Sequence, residues 1–370
     1  MISCQTVAQI IEKLAPKRLA LEWDSPGLAL GDFSKKISKI LLALTVTPEV
    51  IDYAADNGFD MVVSHHPLLF KPLKSLRWDL PSGKIIYRAV KHDIAVYSAH
   101  TNLDVAQEGV NDLLARVLEL ENVSVLKETE REALKKIVVF VPRGYEEAVR
   151  TAMGDAGAGF IGNYSHCSFN VEGVGTFKPL EGTNPFIGKA GRLERVEETR
   201  IETVVPESLV KKVISAMLRV HPYEEVAYDI YPLENAGGTF GLGRLGYLKN
   251  SMSLRDFCEV LKRKLGAGFL RVVGDLSREV SKVALCGGAG GDLVSAAAFS
   301  GADVFVTGDV KYHDAEEAKA LGLAVVDAGH FSTENLMMGV LADFLARETA
   351  LLGEKIEIKI YPAQDPFRIL

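Results

Sequence analysis

Three short segments carry the residue types that bind metal ions and move protons. They are Ser64-His65-His66-Pro67, His100-Thr101-Asn102-Leu103-Asp104 and His330-Phe331-Ser332-Thr333-Glu334. Imidazole nitrogens and carboxylate oxygens are the ligands that zinc, manganese and iron take from proteins. Adjacent residues on a regular strand point to opposite faces, but just past a strand end both rings of His65 and His66 can reach one pocket. The plainer reading is one ring buried and one solvated. Asp104 offers an oxygen ligand and His100 a proton shuttle or substrate contact, although Asp and Asn after a strand are also ordinary helix caps. His330 and Glu334 stand four residues apart, a spacing that shares one helix face, with His330 expected just ahead of its helix. Each segment is weak by itself. Together they offer three histidines and two carboxylates, His65, His66, His330, Asp104 and Glu334. Five ligands exceed what one catalytic zinc takes, and two divalent ions sharing a carboxylate, about 3.5–4 Å apart, would activate a water for hydrolysis.

The elements that must position these residues are read from periodicity. Val7, Ile10, Ile11 and Leu14 follow a helical repeat with Thr6 as its cap and Pro16 as its end. Ile40 to Val46 reads as a strand buried on both faces. Pro48 opens a helix that Gly58 stops. A strand over 61–64, a helix over 84–92, a strand over 94–98 and a helix over 110–120 continue the alternation. This order predicts a largely parallel α/β sheet, whose sites collect at the carboxyl ends of its strands. Near residue 130 the pattern changes to strand 136–141, helix 145–156, antiparallel strands to about 205, helix 206–220 and strand 226–231, the β-α-β-β-α-β order of a ferredoxin-like domain. The glycine-rich stretch from Asn235 to Gly246 reads as a return crossing. Then come helix 254–265, strand 283–286, helix 292–300, strand 304–307, helix 315–320, strand 323–326 and helix 333–347. The resumed rhythm predicts one split α/β domain, residues 1–127 and 235–370, interrupted by an inserted ferredoxin-like domain at 128–234. Three domains in series is the rival.

Other polar loops are weighed beside these. Cys286-Gly287-Gly288-Ala289-Gly290-Gly291-Asp292 can offer backbone N–H groups to a phosphate. It lacks the G-K-[ST] of a Walker loop and a proper G-x-G-x-x-G, so a tight strand-to-helix turn is the simpler reading. Asp309 and His313 lie in a further strand-end loop, as substrate contacts or, for His313, as a helix cap. His221-Pro222-Tyr223-Glu224-Glu225 reads as a structural turn or interface, and His92 and His166 as structural.

Composition narrows the classes. The chain is 48 % hydrophobic and 25 % charged, with net charge −7. That is ordinary for a globular protein and excludes general disorder. The acidic balance gives no electrostatic pull on nucleic acid or anionic membrane. Four cysteines, none at C-x-x-C spacing, fit a reducing compartment. The start lacks signal-peptide blocks, and no apolar run of membrane-spanning length occurs, so a cytoplasmic location is expected.

Taken together, Glu22-Trp23-Asp24-Ser25-Pro26-Gly27-Leu28, Ser64 to Pro67, Ser98 to Asp104, Thr307 to Ala315 and Asp327 to Glu334 resemble the NIF-three-like family, often named GTP cyclohydrolase type-2 homologues. The resemblance spans nearly the whole chain. It implies a dinuclear centre, zinc, iron or manganese, on His65, His66, Asp104, His330 and Glu334. Glu334 would bridge both ions; Asp104 and one of the paired histidines would serve one, His330 and the other histidine the second. It implies a toroidal homohexamer, and an insert similar to PII- and CutA-type proteins. Ser25-Pro26 departs from the expected Asn and small apolar residue, in a loop rather than at a ligand. The functional expectation is a metal-dependent hydrolase of a nucleotide-like or phosphate-containing substrate, with His100 or His313 assisting proton transfer. The rival is a non-enzymatic, ring-shaped metal-binding or regulatory assembly with a ligand-sensing insert.

Overall fold

The computed structural model describes residues 1–368. The chain divides into two compact units, Met1–Glu130 with Phe240–Leu370, and Arg131–Thr239.

The first unit opens with β1 (Ile2–Ser3) and α1 (Cys4–Leu14). Ser3, not Thr6, caps α1: its hydroxyl accepts from the Thr6 N–H, so Thr6 lies inside the first turn. There follow β2 (Gly27–Leu30), β3 (Lys36–Ile37), β4 (Lys39–Ala43), α2 (Pro48–Asp56), β5 (Met61–Ser64), α3 (Pro81–Lys91), β6 (Ala95–Ser98), α4 (Thr101–Val105) and α5 (Val110–Val117). Thr47 caps α2 and Pro48 supplies its preset first turn. The strand order is β15-β4-β5-β6-β2, where β15 is Glu357–Ile360 near the end of the chain. All neighbours are parallel except β2, which runs antiparallel to β6.

The inserted unit contains the later part of β7 (Glu121–Pro142), then α6 (Glu146–Asp155), β8 (Phe169–Phe177), β9 (Glu194–Pro206), α7 (Val210–Val220) and the first part of β10 (Tyr228–Ser253). Its strand order is β10-β7-β9-β8, with β9 antiparallel to both β7 and β8. Ile137, Val139 and Val141, every second residue of β7, pack with Val149 and Met153 of α6 and Val213 and Met217 of α7. The glycine-rich stretch expected as a return crossing is strand: Gly237, Gly238, Gly241, Gly243 and Gly246 all lie within β10. Their missing side chains matter there, since a Cβ on Gly241 would stand 2.1 Å from the Lys127 carbonyl. The unit boundaries accordingly fall inside β7 and β10, at 130/131 and 239/240, where the sequence suggested 127/128 and 234/235.

The first unit resumes with α8 (Leu254–Leu265), β11 (Arg271–Val273), β12 (Glu279–Ala289), α9 (Val294–Phe299), β13 (Val304–Gly308), α10 (Tyr312–Ala320), β14 (Ala324–Asp327), α11 (His330–Glu334) and α12 (Met337–Leu351). The order here is β11-β14-β13-β12-β10, parallel across β12, β13 and β14 and antiparallel at both flanks. The unit is therefore mixed α/β with separate sheets, rather than one largely parallel sheet. Each half supplies its own β-α-β-α-β run, long enough to build a sheet alone. Alternate residues divide cleanly between faces. Leu41, Val62 and Val96 pack under α2 and α3, and Ala284, Phe305 and Val325 under α9 and α10. Leu42, Val63 and Tyr97 join Leu285, Val306 and Val326 in one central core with α1, α5, α8 and α12. Both sheets thus aim the ends of their third strands, β6 and β14, at one place. Each of those strands is followed by a five-residue helix with a histidine at its start and a carboxylate four residues on: His100 and Asp104 at α4, His330 and Glu334 at α11.

Candidate metal centre

The five candidate ligands, far apart in sequence, converge. His66 Nε2 lies 3.1 Å from His330 Nε2 and 2.9 Å from Glu334 Oε2, and His330 Nε2 is also 2.9 Å from that oxygen. The other Glu334 oxygen, Oε1, is 3.6 Å from His65 Nε2, which is 3.6 Å from Asp104 Oδ1. Glu334 is buried and stands between two clusters, one oxygen turned to each. His330 begins α11 instead of preceding it, so the four-residue spacing to Glu334 does share one helix face.

The outer nitrogen of every ring is already spoken for. His65 Nδ1 donates to the Ala99 carbonyl at 2.9 Å, a group that can only accept, so Nε2 is the nitrogen left for a second proton or, once that is displaced, a metal ion. His330 Nδ1 is 2.7 Å from Asp309 Oδ2, and His66 Nδ1 is 2.7 Å from the Thr45 hydroxyl. Metal-binding histidines are oriented in this way, with one nitrogen held by a carboxylate, carbonyl or hydroxyl and the other free to ligate. His65 Nε2 and Asp104 Oδ1 are buried and have no hydrogen-bond partner. Leaving a buried polar atom unpaired costs about 1–3 kcal/mol, and a cation between them would remove that cost. His65, His66 and Glu334 alone suffice as a group that could hold a metal ion, with ligand atoms within 4.8 Å of one another.

The glycine-rich end of β12 is part of this site, a role that its reading as a plain turn missed. Gly288 has φ +65°, and a Cβ there would lie 2.1 Å from Glu334 Oε1. Glycine is thus required twice, for its left-handed backbone and for room beside the carboxylate. The signal was the Gly287-Gly288 pair itself. Asp309, also at positive φ, was singled out as a substrate contact and serves to orient His330. Thr45 was not singled out, although it follows a strand end as the other segments do.

His100 belongs to the same neighbourhood. Its ring centroid is 5.3 Å from that of His65 and 6.0 Å from that of His66, and Trp23 and Phe70 meet it edge-on. Its Nδ1 lies 3.1 Å from Asp24 Oδ2, which also accepts from the Thr101 hydroxyl and N–H. His313 stands elsewhere: it is exposed on α10, inside the helix rather than capping it, with its ring edge-on to Tyr312. His221 supports a turn in the insert, accepting from the Tyr223 N–H and meeting the Phe140 carbonyl.

Electrostatics follow from the crowding of charge. Burial works against a charge on His65, yet the Asp104 and Glu334 carboxylates hold its pKa at about 9. The Glu334 hydrogen bond, with Asp309 behind it, brings His330 to about 9 as well. Burial pushes His66 below its ordinary value and Asp104 up to about 6. Glu334, despite its burial, is held well below the usual carboxylate range by His65 and His330. Burial opposes ionisation of Asp24, but His100 and Thr101 hold it at about 2. The metal-free chain near pH 7 therefore carries a proton on both His65 and His330, and an arriving cation must displace them. Titration calorimetry of chelated protein with zinc, in buffers of different ionisation enthalpy, should record release of about two protons per chain near pH 7, fading above about pH 10. Uptake without proton release near neutrality would contradict this arrangement.

Beside the cluster opens a cleft of about 1040 Å³ lined by His66, His330, Asp309, Arg271, Phe331 and Tyr361, among others. Arg271 pairs with Asp327 while its side chain stays 61 % exposed. The arrangement defines a histidine–carboxylate centre at the strand ends of a split α/β unit, beside an open cleft. The family model described as Duf34/NIF3 (NGG1p interacting factor 3) matches residues 2–366, and the chain belongs to this family. It is 48 % identical over 369 residues to a Halalkalibacterium halodurans protein named GTP cyclohydrolase 1 type 2 homolog, covering 99 % of this chain and 98 % of that one. A Bacillus subtilis protein of the same name is 50 % identical over 339 residues, 92 % of this chain and 91 % of that one. The crystal structure of a Bacillus cereus protein related to NIF3 superposes with TM-score 0.94 at 48 % identity, covering 100 % of this chain and 99 % of that chain. Among the described residues no helix is long and apolar enough to cross a membrane.

Proposed function

We propose that the chain is a dinuclear-metal hydrolase acting on a nucleotide-like, phosphate-bearing substrate. The observation that carries this reading is the division of Glu334: Oε1 faces His65 and Asp104, Oε2 faces His66 and His330. One ion would take His65, Asp104 and Oε1, the other His66, His330 and Oε2, a pairing of the two adjacent histidines that these distances support. Ligand atoms about 2.0–2.1 Å from a tetrahedral ion lie roughly 3.3 Å from one another, and the observed separations of 2.9–3.6 Å bracket that value. Three imidazoles and two carboxylates suit zinc, iron or manganese.

Divalent ions held there would supply Lewis-acid activation of a water and of an electrophilic oxygen. The chain's own residues supply the rest. His100, steered by an Asp24 carboxylate that stays ionised, is placed to take and return a proton. His313, out on α10, has no such partner in this reading and is left to substrate contact. Arg271 gives the otherwise acidic cleft a cation for a phosphate, and Phe331 and Tyr361 give it flat apolar surface for a base. The cleft is large enough for a nucleotide. The same reading takes the inserted unit as ferredoxin-like, supported by its β-α-β-β-α-β order and its β10-β7-β9-β8 sheet. It takes the assembly as a toroidal homohexamer in the cytoplasm, which sedimentation velocity would show as a particle of six chains.

The test is turnover. Metal-loaded protein is assayed against GTP, other nucleotides and phosphodiesters, beside His65→Ala and Asp24→Asn. Activity should vanish in His65→Ala. Asp24→Asn should keep its metal and lose about 10²–10⁴-fold in kcat, the usual contribution of a positioned acid–base group. Activity that survives His65→Ala would sink the proposal. A clean, metal-loaded chain without turnover on any substrate would favour a regulatory assembly instead.

A further inference from the structure

A second cavity, of about 380 Å³, lies wholly within the inserted unit, far in sequence from the metal ligands. Three of its walls are aromatic. Phe177 and Phe186 flank Tyr223, with ring centroids 6.1 Å and 6.2 Å from it and planes inclined at 58° and 50°. At their junction is Glu198. Its Oε1 accepts from the Tyr223 hydroxyl at 2.9 Å. The neighbouring Glu197 and Glu202 of β9 pair with Arg143 and Arg200, whereas Glu198 accepts from the tyrosine and, among the described residues, has no lysine or arginine ion pair. Room for its second oxygen is made by Gly175, where a Cβ would lie 2.0 Å from Oε2. Glu224 and Glu225 add carboxylates to the lining and Lys178 the only lysine or arginine charge, so the three acids leave it net negative by two. Glu224 is itself tied to the Asn184 N–H at 3.0 Å, which holds the loop bearing Phe186 over the cavity.

We infer that this cavity binds a small organic ammonium ion, seated on the faces of Phe177, Phe186 and Tyr223 against the Glu198 carboxylate. Aromatic faces carry negative quadrupoles, and rings set at angles around a space are how proteins hold alkylated ammonium groups. An anion would meet three carboxylates there. A neutral apolar ligand would leave Glu198 half-buried and uncompensated. The turn His221-Pro222-Tyr223-Glu224-Glu225 thereby gains a purpose beyond structure: it delivers one wall and two of the acids.

The inference is independent of the metal centre and is tested on the full chain by titration calorimetry. Choline is the probe, 3,3-dimethylbutan-1-ol its uncharged isostere, and phenylacetate the anionic aromatic control. Choline should bind saturably at one site per chain. The isostere should bind at least about tenfold more weakly, and Glu198→Gln should weaken choline about tenfold. Gly175→Ala should do the same by displacing the carboxylate. Metal content and thermal melting of Glu198→Gln serve as checks that the fold is intact. Equal binding of choline and its isostere, preference for phenylacetate, choline binding unchanged in Glu198→Gln, or no saturable heat with choline would each overturn it.

Discussion

Glu334→Gln is expected to empty both halves of the centre at once. Elemental analysis should fall from about two bound ions per chain to fewer than one, with affinity for whatever remains down by more than the 10–100-fold typical of losing only an outer partner. The amide has one oxygen, so it can face only one of the two clusters, and its NH2 group would point its hydrogens at imidazole lone pairs. It also removes the negative charge that offsets two cations. The chelated variant should itself melt lower than chelated wild type, because Glu334 is the ionised partner of His65 and His330 in the metal-free chain and removing one partner of a buried pair is destabilising. What it should lose is the rise in melting temperature that metal confers on the folded state. A variant that keeps two ions would show that Glu334 is not shared between them. The proton release described above should shrink in step, since Glu334 helps Asp104 to hold His65 at about 9 and, with Asp309, holds His330 there.

Arg244→Ala should produce the largest loss of stability. Arg244 is 3 % exposed and saturated with acceptors: both Asp112 oxygens, at 2.5 Å and 2.9 Å, and the carbonyls of Gly241, Gly243 and Ala106. Deleting it strands a partly buried carboxylate and three carbonyls together, a loss of about 3–5 kcal/mol. At roughly 2–4 °C per kcal/mol for a unit of this size, melting should fall by about 10 °C. Ala106 caps α4, the short helix that carries Asp104, so metal affinity should weaken too, without any change to a ligand. Arg244→Lys keeps the charge but cannot reach five acceptors and should recover only part of the loss. A fall of less than about 1 kcal/mol in chemical denaturation would show that water replaces the guanidinium at little cost. The sequence alone offered no hint of this residue, which lies in the glycine-rich stretch expected as a return crossing.

The comparison of Thr6 with Ser3, and of the glycine-rich crossing with β10, shows where local reading stops. Both helix caps and strand starts are settled by which of several adequate residues the tertiary structure leaves in reach. The glycines from Gly237 to Gly246 lower strand propensity, but β10 is held by its neighbours, and close approach by the Lys127 carbonyl makes glycine necessary at Gly241. Propensity was overruled by pairing. The same holds for the sheets. Two runs of alternating strands and helices look alike whether they join one sheet or build two, because hydrophobic period reports which residues are buried and not against what.

The sequence by itself determined the candidate ligand types, their position at strand ends, and the repeated rhythm that brings them to one edge. Those properties are local: apolar runs, helix starters and the four-residue spacing of His330 and Glu334 act within a few turns of chain. Only the tertiary structure decided the partnerships. It set His66 against His330, 264 positions away, and turned the two oxygens of Glu334 to different histidines. It enlisted Ala99, Thr45 and Asp309 to fix the rings, Asp24 to steer His100, and Gly288 to make room. None of these contacts is encoded in spacing, because each depends on how two separately formed sheets share one core, and that is settled by packing.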